Sequence, residues 1–248
     1  MKMQNKVSLV TGFDSETGRA IAVALAKEGS KIAGCCGSRE KGQDSLRAVE
    51  TAGGTGVVVT GDVSRAADAA SIVKATVDKL GRLDVLVNYG AARRIVGTVM
   101  DVTDEDFDEE MRVDLKGLIS LSRAAIPAMI QGGGGAIVNL SSIAGSGVKG
   151  RALRSASKAA VNALTVAMAL DNGEKNIRVN AVLVGPTLTA QIRQRPEQLK
   201  QLEADAVLGR LHTPEDVGSA VLFFASDDAK NITGVLLPLD AGRSLPTY

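Results

Sequence analysis

The stretch Val7-Ser-Leu-Val-Thr-Gly-Phe-Asp-Ser-Glu-Thr-Gly18 decides how this chain folds. Its first half is a short apolar run that predicts a buried β-strand, Val7–Thr11, and its glycines predict a turn into a helix near residue 17. A strand that enters a helix through such a turn is the first half of a βαβ unit, in which helices join parallel strands. The run is too short for a signal-peptide core or a membrane span.

The same alternation of apolar runs and helical stretches continues along the 248 residues. It is typical of a parallel sheet covered on both faces. The further predicted strands are Lys31–Cys35, Thr55–Thr60, Asp84–Asn88, Ala136–Leu140, Arg178–Leu183 and Val235–Leu237. The predicted helices span residues 17–28, 40–52, 65–80, 103–130, 153–172 and 214–226. Seven strands favour one doubly wound α/β domain over residues 1–248 rather than a closed barrel, which needs eight units.

Composition and charge narrow the classes of function. Hydrophobic residues make up 45% of the chain, enough for a sizeable core. Lys and Arg number 29 against 28 acidic residues, so there is no broad basic field and we expect no nucleic-acid partner. No apolar run reaches the length of a membrane span, so we expect no membrane partner. The adjacent Cys35 and Cys36 are poorly placed for a disulfide with each other, which favours a reducing, cytoplasmic setting.

Two further features have simple explanations. His212 is the single histidine, so a Ser/His/Asp triad or a multi-histidine metal site would have to be built around it. We expect neither a catalytic role for His212 nor a metal site. The segment Asp101–Glu110 holds seven acidic residues, which fit either a docking surface for a basic partner or a solvated first helical turn. The second interpretation is favoured, because acidic residues there suit the helix dipole.

Short motifs recur in a fixed order along nearly the whole chain. They are Thr11-Gly12 after the first strand, Asp62-Val63 after the third, Asn88 ending the fourth, Asn139-Leu-Ser-Ser142 ending the fifth, Ser155-Ala-Ser-Lys158 in a helix, and Gly185-Pro186 with Thr189 after the sixth strand. In this order and spacing they resemble the short-chain dehydrogenase/reductase family. The resemblance implies a Rossmann-type, seven-stranded parallel sheet with helices on both faces. It also implies hydride transfer between NAD or NADP and an alcohol or carbonyl.

The chain departs from the family at the catalytic positions that the resemblance assigns. In the family, a Tyr acts as acid and base, a Lys four residues later lowers its pKa, a Ser binds the substrate oxygen and an Asn supports a relay water. Ser142 and Lys158 match this pattern, whereas Arg154 stands at the tyrosine position and Asp114 at the asparagine position. Arginine side chains stay protonated across the neutral pH range, so the family's general acid/base is missing. The tyrosines of the chain, at 89 and 248, offer no obvious replacement.

The family's glycine-rich turn, Thr-Gly-x-x-x-Gly-x-Gly, is also changed. Here Gly12 and Gly18 remain, but Glu16 stands at the middle glycine. Unit charges 4 Å apart repel by roughly 4 kcal/mol at an effective dielectric near 20, so Glu16 should oppose a diphosphate. In the family's Asn-Asn-Ala-Gly stretch, here Asn88-Tyr89-Gly90-Ala91, an aromatic ring replaces a small polar residue.

At the ribose end of the expected cofactor site, Cys36 replaces the Asp that an NAD enzyme usually has. Arg39, three residues later, fits either a contact to a 2′-phosphate or a solvated charge at a helix start, and the sequence leaves both open. The positions that the resemblance assigns to cofactor contacts are Gly12, Glu16, Gly18, Arg39, Asp62, Val63, Asn88, Lys158, Gly185 and Thr189. We expect NAD or NADP to bind weakly or not at all.

Three hypotheses about function follow. The first is a non-catalytic family member retained for assembly with an active dehydrogenase subunit, as in paired subunits known from the family, including a hydroxyacyl-CoA dehydrogenase. Family members usually form dimers and tetramers, and Ser155–Leu170 and Gly234–Gly242 match the segments that make those contacts. The second is an NAD(P)-dependent oxidoreductase with an altered proton relay that uses Ser142, Lys158 and water near Asp114. The third is a non-redox enzyme on the same fold.

Overall fold

A computed structural model describes residues 1–90 and 95–246. Its centre is a parallel seven-stranded sheet in the order β3-β2-β1-β4-β5-β6-β7. The strands are β1 (Val7–Val10), β2 (Lys31–Cys36), β3 (Gly56–Thr60), β4 (Val85–Asn88), β5 (Gly135–Ser142), β6 (Ile177–Val184) and β7 (Leu236–Leu239). The predicted fold class is confirmed. The strand order reverses between β1 and β4, the place where open α/β sheets form a binding crevice at their carboxyl edge.

Helices cover both faces of the sheet. They are α1 (Glu16–Lys27), α2 (Arg39–Thr51), α3 (Ala66–Leu80), α4 (Asp104–Met111), α5 (Gly117–Gln131), α6 (Ala152–Asn172), α7 (Ala190–Arg193), α8 (Pro196–Ala204) and α9 (Pro214–Ala225). On one face, Ile21 of α1 and Phe224 of α9 pack into a buried apolar cluster. On the other, Ile72 of α3, Leu121 of α5 and Val161 of α6 form a second cluster. Two apolar layers around one sheet explain the near-continuous apolar character of the strands.

The helical stretch predicted near residues 103–130 is confirmed, and the structure adds that its middle is not regular α-helix. Helix α4 passes into a π-helical turn, Arg112–Lys116, before α5 begins. A π-turn inserts an extra residue into a helix and is common at functional sites. The sequence gives no signal for it because Arg112–Lys116 has ordinary helix-forming residues. The consequence is local: the turn sets the direction of the buried Asp114 side chain.

The short helices α7 and α8 lie in a segment that the sequence leaves without structure. Both helices are short and neither contains a buried residue, so the apolar pattern that predicts a core-facing helix is weak there. Pro196 begins α8, a position where proline is favoured. Along residues 1–90 and 95–246, no helix combines the length and apolar character that a membrane crossing requires.

Candidate functional site

Three of the four residues at the expected catalytic positions meet at one carboxylate oxygen. Oδ2 of Asp114 lies 3.0 Å from Nζ of Lys158 and 3.1 Å from Nη1 of Arg154. Arg154 and Lys158 are four residues apart on α6, so both project from the same face of that helix. The π-turn presents Asp114 to this face. Its carboxylate is fully buried, as is almost all of the Lys158 side chain.

Glu110 completes the cluster, and the sequence analysis did not identify it as a site residue. It is the buried residue of α4 and is 0% exposed, whereas most of the acidic segment that it ends is exposed as expected. Its Oε1 accepts a hydrogen bond of 2.8 Å from Oγ of Ser157 and lies 3.7 Å from Nη1 of Arg154. A signal was available: acids at 110 and 114 and bases at 154 and 158 have the same four-residue spacing.

The buried charges change the protonation behaviour of the cluster. Burial lowers the pKa of Lys158 below its usual 10.5, although the charge of Asp114 opposes this shift. Burial, together with the charge of Asp114, raises the pKa of Glu110 above its usual 4.5. Among the described residues, Oδ1 of Asp114 and Oε2 of Glu110 find no hydrogen-bond partner. The cluster therefore balances two acids against two bases without satisfying every oxygen.

Ser142, the fourth expected catalytic residue, is separate from this network. It ends β5, donates a hydrogen bond to the carbonyl oxygen of Val184 at 3.1 Å and accepts one from the backbone N–H of Ala144 at 3.2 Å. Within residues 1–90 and 95–246, no hydrogen bond or ion pair joins Ser142 to Arg154 or Lys158. Its hydroxyl is already used in holding the local backbone.

Tyr89, the one tyrosine within the described residues, lies against the glycine-containing turn that follows β1. Its backbone N–H donates to Oγ1 of Thr11, and its ring lies against Gly12, where a Cβ would come within 2.7 Å of Cδ1. Gly12 has a φ of +60°, so this position requires glycine both for its backbone conformation and for the contact with the ring. Ala91, which follows in the same motif, and Tyr248 lie outside the described residues.

The turn from β1 into α1 is tight and depends on its two glycines, Gly12 and Gly18. Gly18 must be glycine, because a Cβ there would overlap the carbonyl oxygen of Gly12. Ser15 caps α1, because its hydroxyl oxygen accepts a hydrogen bond from the backbone N–H of Gly18. Glu16, the first residue of α1, accepts a hydrogen bond of 3.0 Å from the backbone N–H of Ala190, which is 174 residues away. Its carboxylate therefore joins the first turn to the segment after β6.

The adenosine end of the expected cofactor site is also occupied by internal contacts. Oδ2 of Asp62 pairs with Nη1 of Arg112 at 3.0 Å, and its Oδ1 accepts hydrogen bonds from the backbone and hydroxyl of Ser64. Arg39 is exposed as the first residue of α2, so both of its interpretations stay open. Cys36 donates from Sγ to the carbonyl of Ser38.

The other expected cofactor positions have structural contacts of their own. Asn88 donates to Oδ1 of Asn139 at 2.9 Å and so links β4 to β5. Val63 and Asp114 line the same small cleft. Gly185 is closely packed, because a Cβ there would come within 2.8 Å of Cβ of Asp240, and the Thr189 side chain does not cap α7.

These residues do not fit a bound dinucleotide. A carboxylate lies at the first turn of α1, where the diphosphate of a nicotinamide cofactor would approach. The Tyr89 ring covers Gly12, and the carboxylate of Asp62 is already paired. These contacts are the geometric reason for expecting weak binding of NAD and NADP.

His212 lies against Thr187 and is not a member of the cluster formed by Glu110, Asp114, Arg154 and Lys158. His212 is buried, and its Nε2 lies 2.9 Å from Oγ1 of Thr187. Burial lowers its pKa below the usual 6.5. Within the part of the chain that the structure describes, no three His, Cys, Asp or Glu side chains are grouped to hold a metal ion.

Comparisons with known proteins agree with this fold. A family model described as enoyl-(acyl carrier protein) reductase matches residues 14–244. An uncharacterized oxidoreductase of Thermotoga maritima is 40% identical, covering 98% of this chain and 99% of that protein. The (2S)-[(R)-hydroxy(phenyl)methyl]succinyl-CoA dehydrogenase subunit BbsD of Thauera aromatica is 32% identical, covering 99% of each chain.

The structural comparison gives the same result. A crystal structure titled as a putative short-chain dehydrogenase/reductase from Burkholderia xenovorans is similar, with a TM-score of 0.93 and 29% identity over 100% of this chain and 99% of that one. The matches to the family model, the relatives and the solved structure extend over almost all of the sequence. This chain therefore belongs to the short-chain dehydrogenase/reductase family of oxidoreductases.

Proposed function

We propose that this chain is a family member whose own site does not transfer hydride, and that it acts as a subunit beside a catalytic relative. The observation that carries the proposal is the shared carboxylate: Asp114 holds both Arg154, at the tyrosine position, and Lys158. Family members typically bind NAD or NADP, and they are commonly oligomeric. What is specific to this chain is that the two cations at its catalytic positions pair with buried carboxylates, Lys158 with Asp114 and Arg154 with both Asp114 and Glu110.

The argument against catalysis is one of proton transfer. Oxidation of an alcohol or reduction of a carbonyl moves a proton as well as a hydride, so a group must exchange a proton with the substrate oxygen. A guanidinium stays protonated across the neutral range and has no acceptor atom. The Lys158 ammonium is only 2% exposed and is bound to Asp114, so it does not reach a substrate. Arg154 and Lys158 therefore supply charge balance rather than acid/base chemistry.

The argument for assembly is the exposed face of α6. Ala156, Ala159 and Ala163 are exposed, and Leu170 on the same helix is 80% exposed. Ala160, a further small residue of the same helix, is partly buried. An apolar helical face left open by its own chain is typical of a surface that packs against another subunit. The relative BbsD is named as a subunit of a dehydrogenase, which supports a partnership of this kind.

The cytoplasm is the compartment that we propose for this subunit. Cys35 and Cys36 are both free and buried. Burial raises the pKa of Cys35 to about 12, so its thiol has little tendency to form the reactive thiolate.

One observation favours a second candidate, an oxidoreductase with an altered relay. Oδ1 of Asp114 has no partner and the residue lines the cleft beside Asn88 and Tyr89, where a water could carry a proton. The lowered pKa of Lys158 would assist proton exchange through that water. The two candidates differ in whether the isolated chain turns over substrate.

The decisive experiment is an activity assay on the purified chain alone. It is supplied with NADH or NADPH and a panel of ketones, and with the oxidised nucleotides and secondary alcohols, while nicotinamide absorbance is followed. We expect no measurable turnover. Arg154→Tyr should recover little activity, because Asp114 and Glu16 remain. Turnover by the unmodified chain that disappears in Lys158→Met would overturn the proposal and favour the altered relay.

A further inference from the structure

The contact between Glu16 and Ala190 crosses the crevice where a dinucleotide would lie. Glu16 follows β1, whereas Ala190 follows β6, and β4 and β5 lie between these strands in the sheet. The hydrogen bond of 3.0 Å therefore extends over the carboxyl edge of two strands. A bridge in this position joins the two sides of the crevice.

We propose that Glu16 excludes dinucleotides from this chain, because its carboxylate takes the place of a phosphate. The hydrogen bond from the Ala190 N–H to this carboxylate, here called the strap, spans the crevice. A carboxylate and a phosphate both have anionic oxygens that accept hydrogen bonds from backbone N–H groups, so one can replace the other as an acceptor. The start of the twelve-residue α1 also favours a negative charge. A diphosphate would have to displace this carboxylate and would meet its charge in doing so.

The surrounding residues agree with a substitution that is specific to Glu16. Gly12 and Gly18 keep the tight turn, since a side chain at either position would collide with its neighbours. The backbone of the turn therefore keeps its tight shape, and the Glu16 carboxylate is added to it beside the Tyr89 ring that covers Gly12. Exclusion by Glu16 comes from its side chain and needs no rebuilt loop.

The strap also holds the segment that carries α7 and α8. Thr189, which precedes α7, makes no capping hydrogen bond with its side chain, and Glu16 accepts the first N–H of the helix instead. Neither α7 nor α8 has a buried residue. Contacts of Arg243 with the carbonyl of Leu202 and with Asp205 hold the far end of the segment. Loss of the Glu16 contact should therefore loosen residues 187–195 first.

This inference is independent of the proposal that the chain is non-catalytic. Arg154 and Asp114 bear on proton transfer, whereas Glu16 bears on nucleotide entry. A variant that opens the crevice should bind nucleotide without gaining turnover. Nucleotide binding and hydrogen exchange therefore test the role of Glu16, whereas a turnover assay tests whether the chain is catalytic.

The test compares Glu16→Gly, Glu16→Ala and Glu16→Gln with the whole wild-type chain. Glu215→Ala is the matched control, because Glu215 is an exposed acid in the first turn of α9. Calorimetric titration with NAD, NADP and inorganic pyrophosphate measures entry. Hydrogen exchange of peptides from residues 187–204 measures how strongly the Glu16 contact protects this segment. Circular dichroism confirms that each variant is folded.

We expect Glu16→Gly to bind NAD and pyrophosphate at least tenfold more tightly than the wild type. Exchange over residues 187–195 should accelerate several-fold in Glu16→Ala and change less in Glu16→Gln, whose amide oxygen can still accept the Ala190 N–H. Glu215→Ala should match the wild type in both measurements. Unchanged affinity in all three Glu16 variants, or unchanged exchange in Glu16→Ala, would overturn the proposal.

Discussion

Arg154 and Asp114 form an ion pair, with 3.1 Å between Nη1 and Oδ2, at the two positions where the chain departs most from the family's catalytic pattern. The two departures are therefore complementary: a cation appears at the tyrosine position and an anion at the asparagine position. A relaxed site would accumulate unrelated changes. Here Lys158 shares the same carboxylate and Glu110 lies beside the guanidinium. The site is therefore one connected charge network in which Asp114 and Glu110 face Arg154 and Lys158.

Replacing Asp114 with Asn should destabilise the folded chain substantially. It leaves Arg154 and the buried Lys158 without their shared anion, and removal of one partner from a buried ion pair costs roughly 3–5 kcal/mol. Urea unfolding measures the loss. The matched control is Asp44→Asn, which breaks an exposed pair with Arg47 and should change little. Equal stability of Asp114→Asn and the wild type would show that the network contributes nothing.

Restoring complementarity should offset part of that cost. Asp114→Asn with Arg154→Tyr removes one charge of each sign, so the double variant should be more stable than the sum of the single effects predicts. A double-mutant cycle of unfolding free energies gives the coupling, expected between about 0.5 and 3 kcal/mol. Additive effects would mean that the two side chains are not energetically coupled.

The raised pKa of Glu110 predicts a pH dependence of stability. Between its usual 4.5 and the raised value, the folded chain binds more protons than the unfolded chain, so stability from this group is full at low pH and is lost as pH rises through that window. Glu110→Gln should flatten the decline in unfolding free energy over this range. Glu105→Gln, an exposed acid on the same helix, should leave the slope unchanged. Identical slopes in Glu110→Gln and the wild type would contradict the assignment.

The wild-type chain should bind NAD and NADP weakly. We expect dissociation constants in or above the high-micromolar range, about −5 kcal/mol or less favourable, because Glu16 and the Tyr89 ring occupy the crevice. Arg39→Ala tests the remaining alternative: loss of a preference for NADP would assign Arg39 to the 2′-phosphate. Calorimetry that returns a low-micromolar constant for either nucleotide would remove the argument from charge and shape.

The chain should co-purify with a family member that has an intact Tyr-x-x-x-Lys motif, as a mixed dimer or tetramer. Ala163→Phe should break that complex with little effect on folding, because Ala163 is exposed on α6 within its own subunit. Light scattering of the co-expressed pair reports assembly, and circular dichroism reports folding. Ala70→Phe, on the exposed side of α3, is the control. A strictly monomeric wild-type chain would leave the assembly proposal without support.

The sequence by itself determined the seven strands, the main helices and the positions of Ser142, Arg154 and Lys158 in the motif order. These features are local: a strand or helix follows from apolar periodicity over a few residues, and a motif follows from spacing. The π-turn at Arg112–Lys116 escaped prediction because it has no periodic signal of its own.

Only the tertiary structure decided how the changed residues act on one another. Asp114 and Arg154 are 40 residues apart, and Glu16 and Ala190 are 174 apart. Coulomb and hydrogen-bond interactions depend on distance in space, which the packing of α4 and α6 and the order of the strands set. The same four-residue spacing of acids and bases would describe a solvated helix face if these helices were not packed together. Burial is what turns Glu110, Asp114, Arg154 and Lys158 into one network.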